Sequence, residues 1–175
     1  WGGNVLMTNI RRALEAAGAG GETQALWAWG RNTSGELGLG NKTTYSSPKQ
    51  VGNVGDWSAT DFFNISSAYK HTLAIKPDGT LWAWGDGNDG KLGNGSQADV
   101  SSPVQIGALT DWSVVSAGSN HSLAIKTDGT FWAWGQGAQG RLGLGNTTSY
   151  SSPVQVGALT NWASMSAGPL GAANH

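Results

Sequence analysis

The chain contains no cysteine. Disulfides, thiolate metal ligands and cysteine nucleophiles are therefore excluded together. Charge is scarce too. Asp, Glu, Lys and Arg make up 12% of the 175 residues, against about 25% in an ordinary soluble domain. Ten basic and eleven acidic residues leave a formal net charge of −1. A nucleic-acid-binding surface leaves a basic footprint. The longest basic run here is Arg11-Arg12, so no nucleic-acid partner is expected. No run of about 18 apolar residues occurs, so no membrane-spanning helix is expected.

Glycine and tryptophan are abundant, at 28 and 10 residues. The glycines recur at fixed places between apolar runs, which assigns them to tight turns rather than to disorder. The tryptophans are periodic. Trp27/Trp29, Trp82/Trp84 and Trp132/Trp134 each form a Trp-Ala-Trp-Gly run, at spacings of 55 and 50. The Ser-Ser-Pro triplets at 46–48, 101–103 and 151–153 keep those spacings, and so do Trp57, Trp112 and Trp162. The five extra residues of the first interval fall between Trp57 and His71, around "SATDFFNIS", and belong in a loop.

A full unit reads from 112 to 157. "WSVVSAG" is a short β-branched run. "HSLAIKTDGTFWAWG" is two runs around Asp128-Gly129, and its counterpart turns at Asp78-Gly79. Asp-Gly between alternating apolar segments marks a hairpin, because both central positions tolerate positive φ. A turn-rich loop then leads to "VQVG", with Pro153 at its entry, where a missing N–H costs little. Four short strands repeated every 50 residues predict an all-β chain of β-propeller-type blades. About two full blades are expected, with partial blades at both ends. Trp132 and Trp134 share one face of their strand and Ala133 takes the other, so a large residue of one blade can pack over a small one of the next.

The stretches "SAYKHTLAIKPDGTLWAWGDGNDGKLGNG" (67–95) and "SAGSNHSLAIKTDGTFWAWGQGAQGRLGLG" (116–145), with a shorter match from Leu26 to Pro48, resemble the regulator-of-chromosome-condensation repeat. The form looks like that of phage and bacterial repeat proteins, and the resemblance covers residues 26–168. It implies bladed propellers, commonly of seven blades. It also implies diverse roles, among them a GTPase exchange factor, a plant UV-B photoreceptor and a β-lactamase inhibitor. Too few units are present to close seven blades. The expected organisation is a leader at 1–24, repeats at 25–56, 57–111 and 112–161, a partial repeat at 162–168 with a first strand in "WASMSAG", and a tail at 169–175.

Within the leader a short helix is expected over about 9–17. Ile10, Ala13, Leu14 and Ala17 share one face, and a Gly-rich tether follows. Ile10 and Leu14, with Phe62, Phe63 and Tyr69 around the insertion, are candidate partner contacts. The tryptophans Trp27, Trp29, Trp57, Trp82, Trp84, Trp112, Trp132, Trp134 and Trp162 read as blade packing. His71 and His121 stand eleven residues before their tryptophan pairs, and the expectation is a structural histidine hydrogen-bonded within each blade.

No catalytic set, cofactor or metal site is expected. "DGNDGKLGNG" at 86–95 lacks the bidentate Glu of a calcium loop. The glycine-rich loops lack phosphate-binding signatures, and no serine sits in a nucleophile motif. The leading expectation is a non-enzymatic structural or interaction protein with protein partners. It would form a homo-oligomer or larger assembly with blades completed between chains, such as a phage capsid decoration or tail component. One alternative is a protein-binding propeller acting as a GTPase exchange factor or enzyme inhibitor. Another is a tryptophan-based sensor, although the photoreceptor's Gly-Trp-Arg-His-Thr pattern is replaced here by "SAYKHT" and "AGSNHS".

Overall fold

The computed structural model describes residues 25–53, 57 and 64–168. Ten strands run in chain order: β1 Leu26–Gly30, β2 Tyr45–Val51, β3 Asn64–Ala68, β4 His71–Ile75, β5 Leu81–Gly85, β6 Val100–Gln105, β7 Trp112–Ala117, β8 His121–Lys126, β9 Phe131–Gly135 and β10 Tyr150–Gln155. They form a strand pair, β1-β2, and two four-stranded antiparallel meanders, β3-β4-β5-β6 and β7-β8-β9-β10. These are the blades. The chain is all-β, built of propeller-type blades. The leader helix, with Ile10 and Leu14, lies outside the described residues, as do Phe62 and Phe63.

The Trp-Ala-Trp-Gly run is the third strand of each full sheet. Its glycine ends the regular register: the ladder slips between Ala83 and Gly85, and between Ala28 and Gly30. Gly85 takes φ +107°, and a Cβ there would stand 2.8 Å from His71 Cα, so the neighbouring hairpin can close over it only if the residue is glycine.

Alternation across β5 and β9 sorts the core into seams. Trp84 packs with Leu26, Ala28, Leu37 and Val51 of the strand pair. Ala83, on the opposite face, packs with Trp134 and Ala124 of the distal sheet. Ala133 faces Leu142 and Ala167 beyond it. Neither face of so small a sheet can be left in water, so each blade is stable only between neighbours.

The expected first strand at 162–168 is corrected. The segment carries no strand, because no described strand lies beside it to complete a ladder. It still holds the position of β7 one unit on. Ala167 N–H donates to Ser116 Oγ at 2.8 Å, as Ala117 N–H donates to Ser66 Oγ at 3.0 Å.

Candidate interaction site

The hairpin turns are locked by a two-step relay. Trp82 Nε1–H donates to Thr80 Oγ1 at 2.8 Å, and the Thr80 hydroxyl donates to Asp78 Oδ1 at 2.6 Å. Trp132, Thr130 and Asp128 repeat this at 2.9 and 2.7 Å. The threonine side-chain bond, then its amide, holds each carboxyl below the ordinary aspartate range. Gly79 and Gly129 take φ +78° and +77° in these turns. Trp27 has alanine at position 25 where the relay has threonine.

A second device joins blades. The Glu36 carbonyl accepts from Trp84 Nε1 at 3.0 Å and Thr72 Oγ1 at 3.1 Å. One seam further on, the Lys91 carbonyl accepts from Trp134 Nε1 at 2.9 Å and Ser122 Oγ at 2.7 Å. A glycine two residues later seats the indole. A Cβ on Gly38 would lie 2.9 Å from Trp84 Nε1, and one on Gly93 would lie 2.7 Å from Trp134 Nε1. Gly40 and Gly95 N–H complete the seam by donating to the Ser101 and Ser151 carbonyls at 2.8 and 2.7 Å.

The expected within-blade histidine bond is corrected. His71 Nε2 meets Ser122 Oγ of the next blade at 2.9 Å. The single Ser122 proton is already directed at the Lys91 carbonyl, so His71 must donate from Nε2. Burial, then the nearby Lys91 ammonium, lowers its pKa from 6.5 to about 3. His121 is partly exposed. Burial, then Arg141, lowers its pKa.

The loops also carry ion pairs that composition hides. Asp86 and Lys91 pair at 2.7 Å with both side chains buried. The same positions of the first unit hold Arg31 and Glu36, paired at 3.2 Å with the charges exchanged. The third unit holds Gln136 and Arg141. Comparing positions five apart across the aligned units reveals the swap in sequence.

Lys76 Nζ lies over the rings of Trp57 and Trp82 at 4.7 and 4.0 Å, and Lys126 Nζ lies over Trp112 and Trp132 at 5.0 and 4.5 Å. Trp112 also meets Trp132 edge-on at 5.8 Å. Trp162 instead meets Phe131 at 5.1 Å and is exposed. Tyr69 is 58% exposed, at φ +43°, in the left-handed region that bulky residues avoid. Arg31 donates to its carbonyl at 2.8 Å and lies over its ring at 5.2 Å, while Lys70 Nζ lies over the ring at 5.3 Å. Among the described residues no group of three or more His, Cys, Asp or Glu could hold a metal ion, and no helix is long and apolar enough to cross a membrane.

Residues 25–75, 78–125 and 128–169 match the family model of the Regulator of chromosome condensation (RCC1) repeat, and a second model of that repeat matches 64–91 and 112–141. The chain belongs to the regulator of chromosome condensation repeat family. It is 36% identical over 85 residues to the ultraviolet-B receptor UVR8 of Arabidopsis thaliana, covering 49% of this chain and 19% of the receptor. It is 41% identical over 82 residues to human RCC2, covering 46% of this chain and 15% of that protein. In fold it resembles Prp20p of Saccharomyces cerevisiae, with a TM-score of 0.67 at 22% identity over 79% of this chain and 37% of that one. It also resembles human WBSCR16, with a TM-score of 0.65 at 22% identity over 75% and 33%. The matched stretch spans less than a fifth of these curated relatives. All four are eukaryotic, and the phage or bacterial character of the repeats draws no support from them.

Proposed function

We propose that this chain is a protein-binding propeller segment of the regulator or exchange-factor kind. The polar groups that recur from blade to blade are engaged in turns and seams. The group that breaks the repeat is Tyr69, exposed at the β3–β4 turn, with half-buried Lys70 beside it and half-buried Arg31 of the β1–β2 loop over its ring. Its sister positions are Ser119 and Asn120. Backbone strain concentrates at contact sites, and tyrosine and arginine are favoured binding anchors. Prp20p is described by its binding to Gsp1p and histones, both proteins, which supports a protein partner here. The virion reading has no comparable support.

The test titrates the chain against the GTPase Gsp1p carrying a fluorescent guanine nucleotide, and separately against histones. Saturable binding to one of them is expected, with faster nucleotide release if it is Gsp1p. Tyr69→Ala should weaken that binding by about tenfold or more without lowering the melting temperature. A folded chain that binds neither at tens of micromolar overturns the proposal.

A further inference from the structure

We propose that Asn94 is a self-modification site, whose side-chain amide becomes an acid through attack by the Gly95 backbone nitrogen when the seam between the two four-stranded sheets opens. The inference is independent of the protein partner proposed above.

Ring closure of this kind meets least hindrance when glycine follows asparagine, because no Cβ stands beside the attacking nitrogen. Asn94 alone among the asparagines of the chain precedes a glycine. The seam does not require asparagine at this place. The sister positions are Leu39 and Leu144, which pack against their local cores.

The loop assembles the two reacting groups and withholds one of them. Ser96 N–H donates to Asn94 Oδ1 at 3.1 Å. That bond closes a ring around the Gly95 peptide and draws electron density from Asn94 Cγ, the atom to be attacked. A Cβ on Gly95 would have Ser152 Oγ as its nearest neighbour, at 3.9 Å, so there is room for a tetrahedral carbon beside it. Asn94 is half-buried and Gly95 is exposed, so water reaches both. The attacking nitrogen is tied down, however. Gly95 N–H donates to the Ser151 carbonyl of β10 at 2.7 Å. This bond belongs to the seam, two residues beyond the Gly93 seat of the Trp134 indole. While it holds, the nitrogen keeps the proton it must lose in order to attack.

In the open seam the Gly95 nitrogen bonds to Asn94 Cγ, and proximity makes the step unimolecular. The bond from Cγ to the side-chain nitrogen breaks. That nitrogen leaves as ammonia, carrying the Gly95 proton relayed through water. The product is a cyclic imide, and water then opens either of its carbonyls. One opening gives aspartate in the ordinary chain. The other gives isoaspartate, whose main chain runs through the former side chain and is longer by a methylene. Nothing is oxidised or reduced. Both products place a carboxylate in the loop, and isoaspartate also displaces Gly95 from Ser151. A transient opening of the seam is thereby written into the chain permanently.

Incubation of the whole chain at mildly alkaline pH tests this. Mass spectrometry follows the amide-to-acid exchange at Asn94, and isoaspartyl methyltransferase labelling identifies the isoaspartate. The folded chain should convert about tenfold or more slowly than the same chain in urea. Trp134→Phe removes the indole bond to the Lys91 carbonyl and leaves the residues beside Asn94 unchanged. It should speed conversion in the folded chain by about fivefold or more, in step with hydrogen exchange of the Gly95 amide. Gly38→Ala, at the other seam, should leave the rate unchanged. Near-ultraviolet circular dichroism establishes that each variant is folded. Wild-type chain in low urea needs no variant, and there too conversion should rise in proportion to Gly95 exchange. A folded chain that converts as fast as the unfolded one overturns the proposal. So does a rate that fails to follow Gly95 exchange, an equal acceleration by Gly38→Ala, or no conversion even in urea.

Discussion

His71 is held neutral by what surrounds it. Its Nε2 proton is committed to Ser122, burial disfavours a charged ring, and the nearby Lys91 ammonium would repel a second proton. The folded pKa of about 3 stands below the unfolded value of 6.5. The unfolded chain therefore binds the proton first as pH falls. The stabilisation is complete above pH 6.5 and is lost progressively between 6.5 and 3, at about 1.4 kcal/mol per pH unit. His71→Gln keeps an N–H donor without titrating. Urea unfolding at pH 7 and pH 5 should show the wild type losing about 2 kcal/mol more than this variant. Equal losses would mean that His71 takes up its proton in the folded state. Sequence alone marks His71 and His121 as equivalent, yet among the described residues it is His71 that reaches a serine in a following blade. Its partner lies 51 residues away, and no local pattern announces that contact.

At the scale of elements, the hairpins were the most legible part of the fold. Asp-Gly-Thr and the following tryptophan contain every atom of the relay that fixes the turn, so adjacent residues suffice. The paired charges of the β5–β6 and β1–β2 loops were not read, because each pair makes sense only beside its sister. The carboxylate sits at the first position in one loop and at the second in the other. In both it also accepts a loop amide, from Asn88 to Asp86 and from Ser34 to Glu36. The loop thus accepts either polarity but not two like charges. Lys91→Glu should destabilise by about 3–5 kcal/mol, since it leaves two buried carboxylates together. Adding Asp86→Arg recreates the arrangement of Arg31 and Glu36, and should recover more than half of that loss in urea titrations. A double variant no more stable than the single one would show that the polarity of each loop is fixed by its surroundings.

Across the whole molecule, the sheets behave as a short array. Sequence periodicity predicts such an array, but which end depends on which neighbour is set by the seams. The strand pair β1-β2 has two strands and shares its core with Ala74 and Trp84 of the central sheet. Two strands alone are marginal in water, so the pair is ordered by that seam. The seam between the full sheets holds two four-stranded blades together through Ala83 and Trp134. Gly38 and Gly93 occupy the same place in the two seams, at φ +73° and +80°, each beneath an indole. Alanine at either site meets the same strain and the same clash, so the local cost is matched and only the position in the array differs. In a nearest-neighbour array that position decides what loosens. Hydrogen exchange of Gly38→Ala should show faster exchange confined to β1 and β2, with β7 to β10 as protected as in the wild type. Gly93→Ala should lower protection in both four-stranded sheets. If both variants loosen all ten strands equally, the described blades fold as one cooperative body and the array description is wrong.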